Sequence, residues 1–203
     1  MAEIKLTKNE LRLQQSRLLQ LEKYLPTLQL KKALLQTEVG AARLAMAALQ
    51  QKNGKERSLV EASAALFTAD LSASMAQVVH LEHVHKRWEN IAGVDVPLFE
   101  AVTFAPCEYF LFDTPAWFDA LLGQMRCLIT TRAELSVVNE KKVALEKELR
   151  EVSIRVNLFE KILIPRAQTN IKKIALFLGD QQLAAIIQAK VAKGKILTRK
   201  GGE

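Results

Sequence analysis

The 203-residue sequence predicts an all-α dominated fold: a long antiparallel two-helix coiled coil formed by the N- and C-terminal arms, with a small central helical and β-hairpin insert. Three observations carry this. Eight glycines and five prolines are few beside the many Ala, Leu, Gln, Lys and Glu, which favours long helices. Both arms repeat apolar residues every 3.5 positions, the spacing of a narrow seam that needs a partner helix. The middle instead alternates with period 2, as strands do.

Charge follows the same division. Residues 1–53 hold 9 basic and 4 acidic side chains, residues 54–117 hold 4 and 9, and residues 118–203 hold 16 and 9. Two basic arms flank an acidic middle. With 49% hydrophobic and 25% charged residues the chain can bury a core and is not a disordered tail.

In the first arm, heptad position a takes Leu18, Leu25, Lys32, Val39 and Met46, and position d takes Leu21, Leu28, Leu35, Ala42 and Leu49. Only Lys32 is polar. Extended backwards, the frame places Ile4 and Leu11 at a and Thr7 and Gln14 at d, so the seam weakens toward the start. Asn53 and Gly54 read as a helix stop.

The second arm places Leu135, Lys142, Leu149, Val156 and Leu163 at a, with Val138, Leu145, Val152 and Phe159 at d. Past Pro165 the frame slips by one residue, to Ile164, Ile171 and Leu178 with Ala167 and Ile174. Such a slip alters the supercoil locally. Helices from Lys5 to Gln51 and from Trp117 to Ala192 would be roughly 70 and 110 Å long.

The simplest pairing of these helices is with each other, the insert serving as the turn. Matching Lys5 with Ile186 makes residues at one level add to about 191. That register sets Pro26 level with Pro165 and Asn53 level with Val138. Each proline removes a helix hydrogen bond at a cost of about 3 kcal/mol, so a bend or loosening is expected there.

After Gly54, Glu56 to Leu71 returns to Ala-rich helical sequence. From Gln77 onward Val79, Leu81 and His83 alternate with polar residues, then Val94, Val96 and Leu98, before Val102 and Phe104; Tyr109 to Phe112 reads as a third strand. Pro97 belongs at a sheet edge. Thr114 and Pro115 suit the cap and first position of the second long helix. The resulting segments are 1–53, an N-terminal helix; 54–116, the acidic insert; 117–192, a C-terminal helix; and 193–203, a basic tail.

Little in the sequence points to catalysis. His80, His83 and His85 with Glu82 are metal-ligand types, but on a strand His80 faces opposite to the other two. Cys107 and Cys127 lack a neighbouring histidine and read as buried apolar side chains rather than nucleophiles or a zinc module. No phosphate-binding glycine motif occurs, so no cofactor is expected. Lys190, Lys193, Lys195, Arg199 and Lys200 could hold nucleic-acid phosphates, making a basic coiled-coil nucleic-acid binder or adaptor the alternative reading. Aromatic stacking platforms are missing from the first arm, where Tyr24 stands alone. Charges near the start and the lack of a long apolar run lead to the expectation of a cytoplasmic chain without signal peptide or membrane span.

Three stretches resemble one family. KLTKNELRLQQSRL, Lys5 to Leu18, followed by LQLKKALLQ, Leu28 to Gln36, resembles the first helix of the D subunit of V-type and archaeal-type rotary ATPases. AGVDVPLFE, Ala92 to Glu100, resembles the family's central segment, and RVNLFEKILIPRAQTNIKKI, Arg155 to Ile174, its C-terminal signature. Pro26 and the Ala- and Gln-rich sequence after Leu178 depart from the usual pattern.

The resemblance implies a non-catalytic central rotor, peripheral to the membrane, that couples ATP synthesis or hydrolysis to proton or sodium transport. Implied partners are the catalytic and regulatory nucleotide-binding A and B subunits of the hexamer, the F subunit, and the C subunit that serves as membrane-ring adaptor, with neither nucleic acid nor direct membrane insertion. Charge and position nominate Arg12, Arg17, Lys172, Lys173, Lys190 and Lys193 as facing the hexamer cavity. Pro26, Pro165, Arg155 and Asn157 are structural candidates, and Gly93, Val94, Val96 and Pro97 are candidates for foot contacts.

Overall fold

The computed structural model describes residues 5–63, 79–106 and 115–200, with side chains up to residue 197. In chain order the elements are α1 (Lys8–Ala62), β1 (Leu81–Ile91), β2 (Val94–Phe104), α2 (Phe118–Leu158), a π-helical turn (Phe159–Leu163) and α3 (Ile164–Lys200). They form two compact units: Met1–Leu30 with Val152–Glu203, and Lys31–Glu151. The expected third strand Tyr109 to Phe112, the cap Thr114 and Cys107 lie outside the described residues, as does the sequence from Ala64 to Leu71.

The start of α1 carries the first half of a capping box. The Glu10 backbone N–H donates to Thr7 Oγ1 at 3.3 Å, satisfying a donor that the first turn leaves free. Within the first unit, Leu18, Leu21, Leu25 and Leu28 are half-buried and Gln14 is 8% exposed. Opposing segments contribute Val152, Val156, Ala167 and Ile174, all buried. The heptad frame therefore describes the buried face on both arms. Gln14 meets the cost of polar burial by donating Nε2–H to Glu10 Oε1 at 2.8 Å.

Pro26 stands inside uninterrupted α1. It is exposed, so the carbonyl deprived of its donor can turn to water. Pro165 is the second residue of α3, directly behind the π turn. The frame slip thus falls at residues 159–163, just before this proline rather than after it.

In the second unit Leu35, Val39 and Ala42 of α1 are buried, as are Val137 and Leu145 on the returning arm. Helix α1 runs straight through Asn53 and Gly54, where a stop was expected. An interior glycine costs only about 1 kcal/mol. The frame continues with Asn53 and Val60 at a and Glu56 and Ser63 at d, all half-buried; the i,i+4 pair Lys52–Glu56 (3.9 Å) spans the glycine and Arg57–Glu61 (2.7 Å) follows it. Packing overrides the local stop signal. At the other end α3 continues to Lys200 instead of ending at Ala192.

Pairing in this unit is antiparallel, since Lys31 binds Glu148 at 2.7 Å and Arg43 binds Glu146 at 2.7 Å. Farther along α1, Glu56 and Leu59 share a cavity with Ala120, Gly123, Gln124 and Cys127. The expected register would have set Leu59 near Arg132, so the pairing is displaced by about one heptad. A shift of seven residues returns the same seam positions to the interface, which is why seam residues alone could not reveal it.

Strands β1 and β2 form a two-stranded antiparallel sheet with Trp88 opposite Pro97 and Ile91 opposite Val94. They are longer than the short strands expected. The two-residue turn has Ala92 at φ 54° and Gly93 at φ 80°, both left-handed, as a type I′ turn requires. Asn90 Oδ1 accepts the Gly93 N–H at 3.0 Å, and Asn90 Nδ2 donates to Asp95 Oδ1 at 2.7 Å. Register irregularities fall between Leu81 and His83 and between His85 and Lys86.

Val96, fully buried, and Lys86, bound to Glu140 at 2.7 Å, tie the hairpin down. At the start of α2, Phe118, Leu121 and Leu122 form a cluster with Val79, against which Trp117, Met125 and Ile129 pack. The Arg126 guanidinium lies 5.3 Å from the Phe104 ring centroid, a cation–π contact.

Two outcomes test this description. Leu145→Ala, which empties a fully buried seam position, should cost about 2–5 kcal/mol in urea unfolding of the full chain. Ala92→Asn, which suits the left-handed conformation better, should stabilise by roughly 0.5–1 kcal/mol and slow amide exchange in the hairpin.

Candidate functional site: partner-binding surfaces

Beyond Leu178, every described residue of α3 is exposed. The stretch from Leu178 to Lys200 spans roughly 30 Å of helix. Its seam positions carry Gln181, Ala185 and Gln188, too small or too polar to continue the interface. Leu183, Ile186, Ile187, Val191, Ile196 and Leu197 nevertheless project more than half exposed, and Lys190, Lys193 and Lys195 stand among them. No acidic residue occurs between Asp180 and Glu203. Exposed apolar side chains here alternate with charge of one sign, the composition by which binding surfaces are recognised.

The sequence nominated the lysines and not the apolar residues. The available signal was their departure from the a and d frame. The other nominated cations, Arg12, Arg17, Lys172 and Lys173, are also exposed, as are Arg155 and Asn157.

The outer face of α1 holds a second apolar set. Leu34, Ala41, Leu44 and Ala48 are exposed and spaced by seven, three and four residues, so they share one stripe away from the seam. Leu34 and Leu44 lie outside the a and d frame, so the seam periodicity does not mark them.

The hairpin divides the foot candidates. Gly93 is exposed at the turn and Val94 half-buried, while Val96 and Pro97 are buried within the chain and offer no surface to a partner. Trp88, 65% exposed, is the large side chain that β1 presents outward. Pro97 sits opposite it in a two-stranded sheet, where each strand is an edge.

The histidines take defined places. His83 and His85 share a face, their ring centroids 5.0 Å apart, and His85 Nε2 is 2.8 Å from Thr103 Oγ1. Among the described residues no group of three His, Cys, Asp or Glu is arranged to hold a metal ion. Cys127 is exposed, contrary to the expectation of burial, because it lies on the side of α2 that borders the open cavity with Glu56 and Leu59. That cavity, about 400 Å³, has small walls at Ala120 and Gly123. A second, about 310 Å³, lies between β1 and α2, with Leu81, Val84, Ile129 and Val137 forming apolar walls and Arg132 among the polar ones. Among the described residues no helix is long and apolar enough to cross a membrane.

Electrostatics in the second unit serves alignment. The Arg43 side chain hydrogen-bonds Glu146 Oε1 through Nη2 at 2.7 Å and Nε at 3.1 Å. This bond holds the Glu146 carboxyl below the usual carboxylate range, aided by the charges of Lys142 and Arg43 and opposed by partial burial. A lowered folded pKa adds stability above the unfolded value, lost as pH falls through the folded one. Acid titration should therefore remove at most about 1 kcal/mol below pH 4.3, an effect that Arg43→Gln should abolish in parallel melts.

The family described as the ATP synthase D subunit matches residues 10–194. The V-type ATP synthase D subunit of Chlamydia felis is 44% identical over 200 residues, covering 98% of this chain and 96% of its own. That of Chlamydia caviae is 45% identical over 201 residues, with the same two coverages. That of Chlamydia trachomatis serovar L2 is 44% identical over 200 residues, 98% of both chains. With the long helices, the hairpin and the match running nearly end to end, the chain belongs to the D-subunit family of ATP synthases.

Proposed function

We propose that the chain is the non-catalytic central shaft of a V/A-type rotary ATPase, carrying torque between the nucleotide-binding hexamer and the membrane ring and so coupling ATP turnover to proton or sodium movement. The family match over residues 10–194 is the observation that carries this reading. The physical design supports it. Two helices joined along an apolar seam resist bending and twisting better than one, and leave their outer faces free for other subunits.

The uncovered end of α3 is suited to enter the cavity formed by the A and B subunits. Its lysines would be drawn to acidic loops there, with screening beyond about 8 Å at physiological salt. Because the shaft is not symmetric, each A–B pair meets different side chains as it turns, and differential contacts bias that pair between its states. Arg12, Arg17, Lys172 and Lys173 extend the cationic surface toward the same cavity. The outer stripe Leu34, Ala41, Leu44 and Ala48 suits the F subunit, and the hairpin turn at Gly93 and Val94 suits the C or F subunit. The chain is peripheral in this arrangement, joined to the membrane through the ring adaptor. In this arrangement α1 and the returning arm form the shaft, the hairpin region the foot, and the end of α3 the tip.

The test is co-purification. Tagged full-length chain recovered from detergent-solubilised native membranes should bring down A and B subunits in fixed ratio, and a chain ending at residue 174 should recover them at least about tenfold less. Lys190→Glu with Lys193→Glu should weaken recovery by roughly threefold to tenfold, more at low salt than at high. Undiminished recovery by the truncated chain would move the hexamer contact away from the tip. Recovery of RNA in place of ATPase subunits would overturn the shaft reading.

A further inference from the structure

Two independent observations meet at residues 159–163. The sequence frame loses one residue there: Val156 and Ile164, successive a positions, stand eight apart, and so do Phe159 and Ala167 at d. The backbone widens at the same place into a π turn, in which the Ile164 N–H reaches the Phe159 carbonyl five residues back.

The surplus residue has a geometric consequence. One added residue rotates everything beyond it by about 100° in a continuous α-helix. Relative to the 3.5-residue seam that Val152 and Val156 follow, Ala167 and Ile174 would then move from d to the flanking e position, yet all four are buried. A π turn holds one more residue per turn than an α turn, so it takes up the surplus and returns the helix to phase.

Pro165 explains why the surplus lies here. Proline lacks the N–H that an α-helix would direct at the Lys161 carbonyl, and its ring crowds that carbonyl. One hydrogen bond is already forfeited beside it, and a wide turn relieves the crowding. No residue of the turn is buried, and Ile162 is 53% exposed, so little packing opposes the distortion.

We propose that Phe159–Leu163 is a phase adapter: a one-residue surplus, parked before Pro165, that lets two seam segments with different heptad phase pack on the same face. The adapter is a property of the chain and holds whether or not the chain turns inside an ATPase.

Deletion of the exposed Glu160 tests it in the full-length chain. Without Glu160, Val156 to Ile164 becomes a regular heptad step, so the turn should become α-helical. The expected result is a melting temperature equal to that of the parent or about 2–4 °C above it, and amide exchange across residues 161–164 slowed about tenfold. Insertion of one alanine after Glu160 should instead lower the melting temperature, because it doubles the surplus.

Pro165→Ala separates phase from proline. The fast-exchanging amides should persist in this variant, spread over more residues, because the surplus remains when the proline is gone. A deletion variant that fails to fold, or loses as much stability as the insertion, overturns the proposal. So does fast exchange that vanishes in Pro165→Ala and survives the deletion.

Discussion

The apolar stripe along α1 must be covered by the returning chain, and the other features of the protein follow from that requirement. A seam two residues wide in every seven supplies little burial per turn, so it holds a helix only when matched over many turns. Leu35, Val39 and Ala42 meet this demand in one unit, while Leu18 to Leu28 do so less completely in the other. Where the local sequence conflicts with the seam, the seam prevails. Gly54 stays helical because Asn53, Glu56 and Val60 remain at interface positions, and the backbone near Phe159 widens rather than let Ala167 and Ile174 turn outward.

Charge sets what the apolar pattern leaves open. A heptad seam is unchanged by a slide of seven residues, so hydrophobic burial alone ranks neighbouring registers nearly equally. Lys31 with Glu148 and Arg43 with Glu146 distinguish them, since a slide would part each pair by about 10 Å. Exposed ion pairs contribute little to stability and more to specificity, because the wrong register forfeits them all together.

The hairpin follows a different rule from the helices. A two-stranded sheet is marginal alone. Here Val96 is fully buried, Lys86 reaches Glu140, and Arg126 lies against Phe104, so α2 supplies the support that a third strand would. Trp88, His83, His85 and the turn at Gly93 stay exposed. The exposed apolar surfaces are thus the remainder after the seam and the hairpin support have been satisfied.

The two arms, the buried face of each, the one-residue slip near Pro165 and the period-2 middle are all legible in the sequence, because periodicity is a local property that any window of a dozen residues displays. The motifs quoted from both arms and from the hairpin pointed to the family. Other features had to wait for the folded chain: the heptad register, the passage of α1 through Gly54, the burial of Val96 and Pro97 that removed two contact candidates, and the exposure of Cys127. The fold also revealed the apolar residues between Leu183 and Leu197 as a surface. Each of these depends on which partner occupies the space beside a residue, and that partner is brought there by chain distant in sequence. A leucine reads the same in the seam and on the uncovered end of α3, and only the presence or absence of a facing helix tells the two apart.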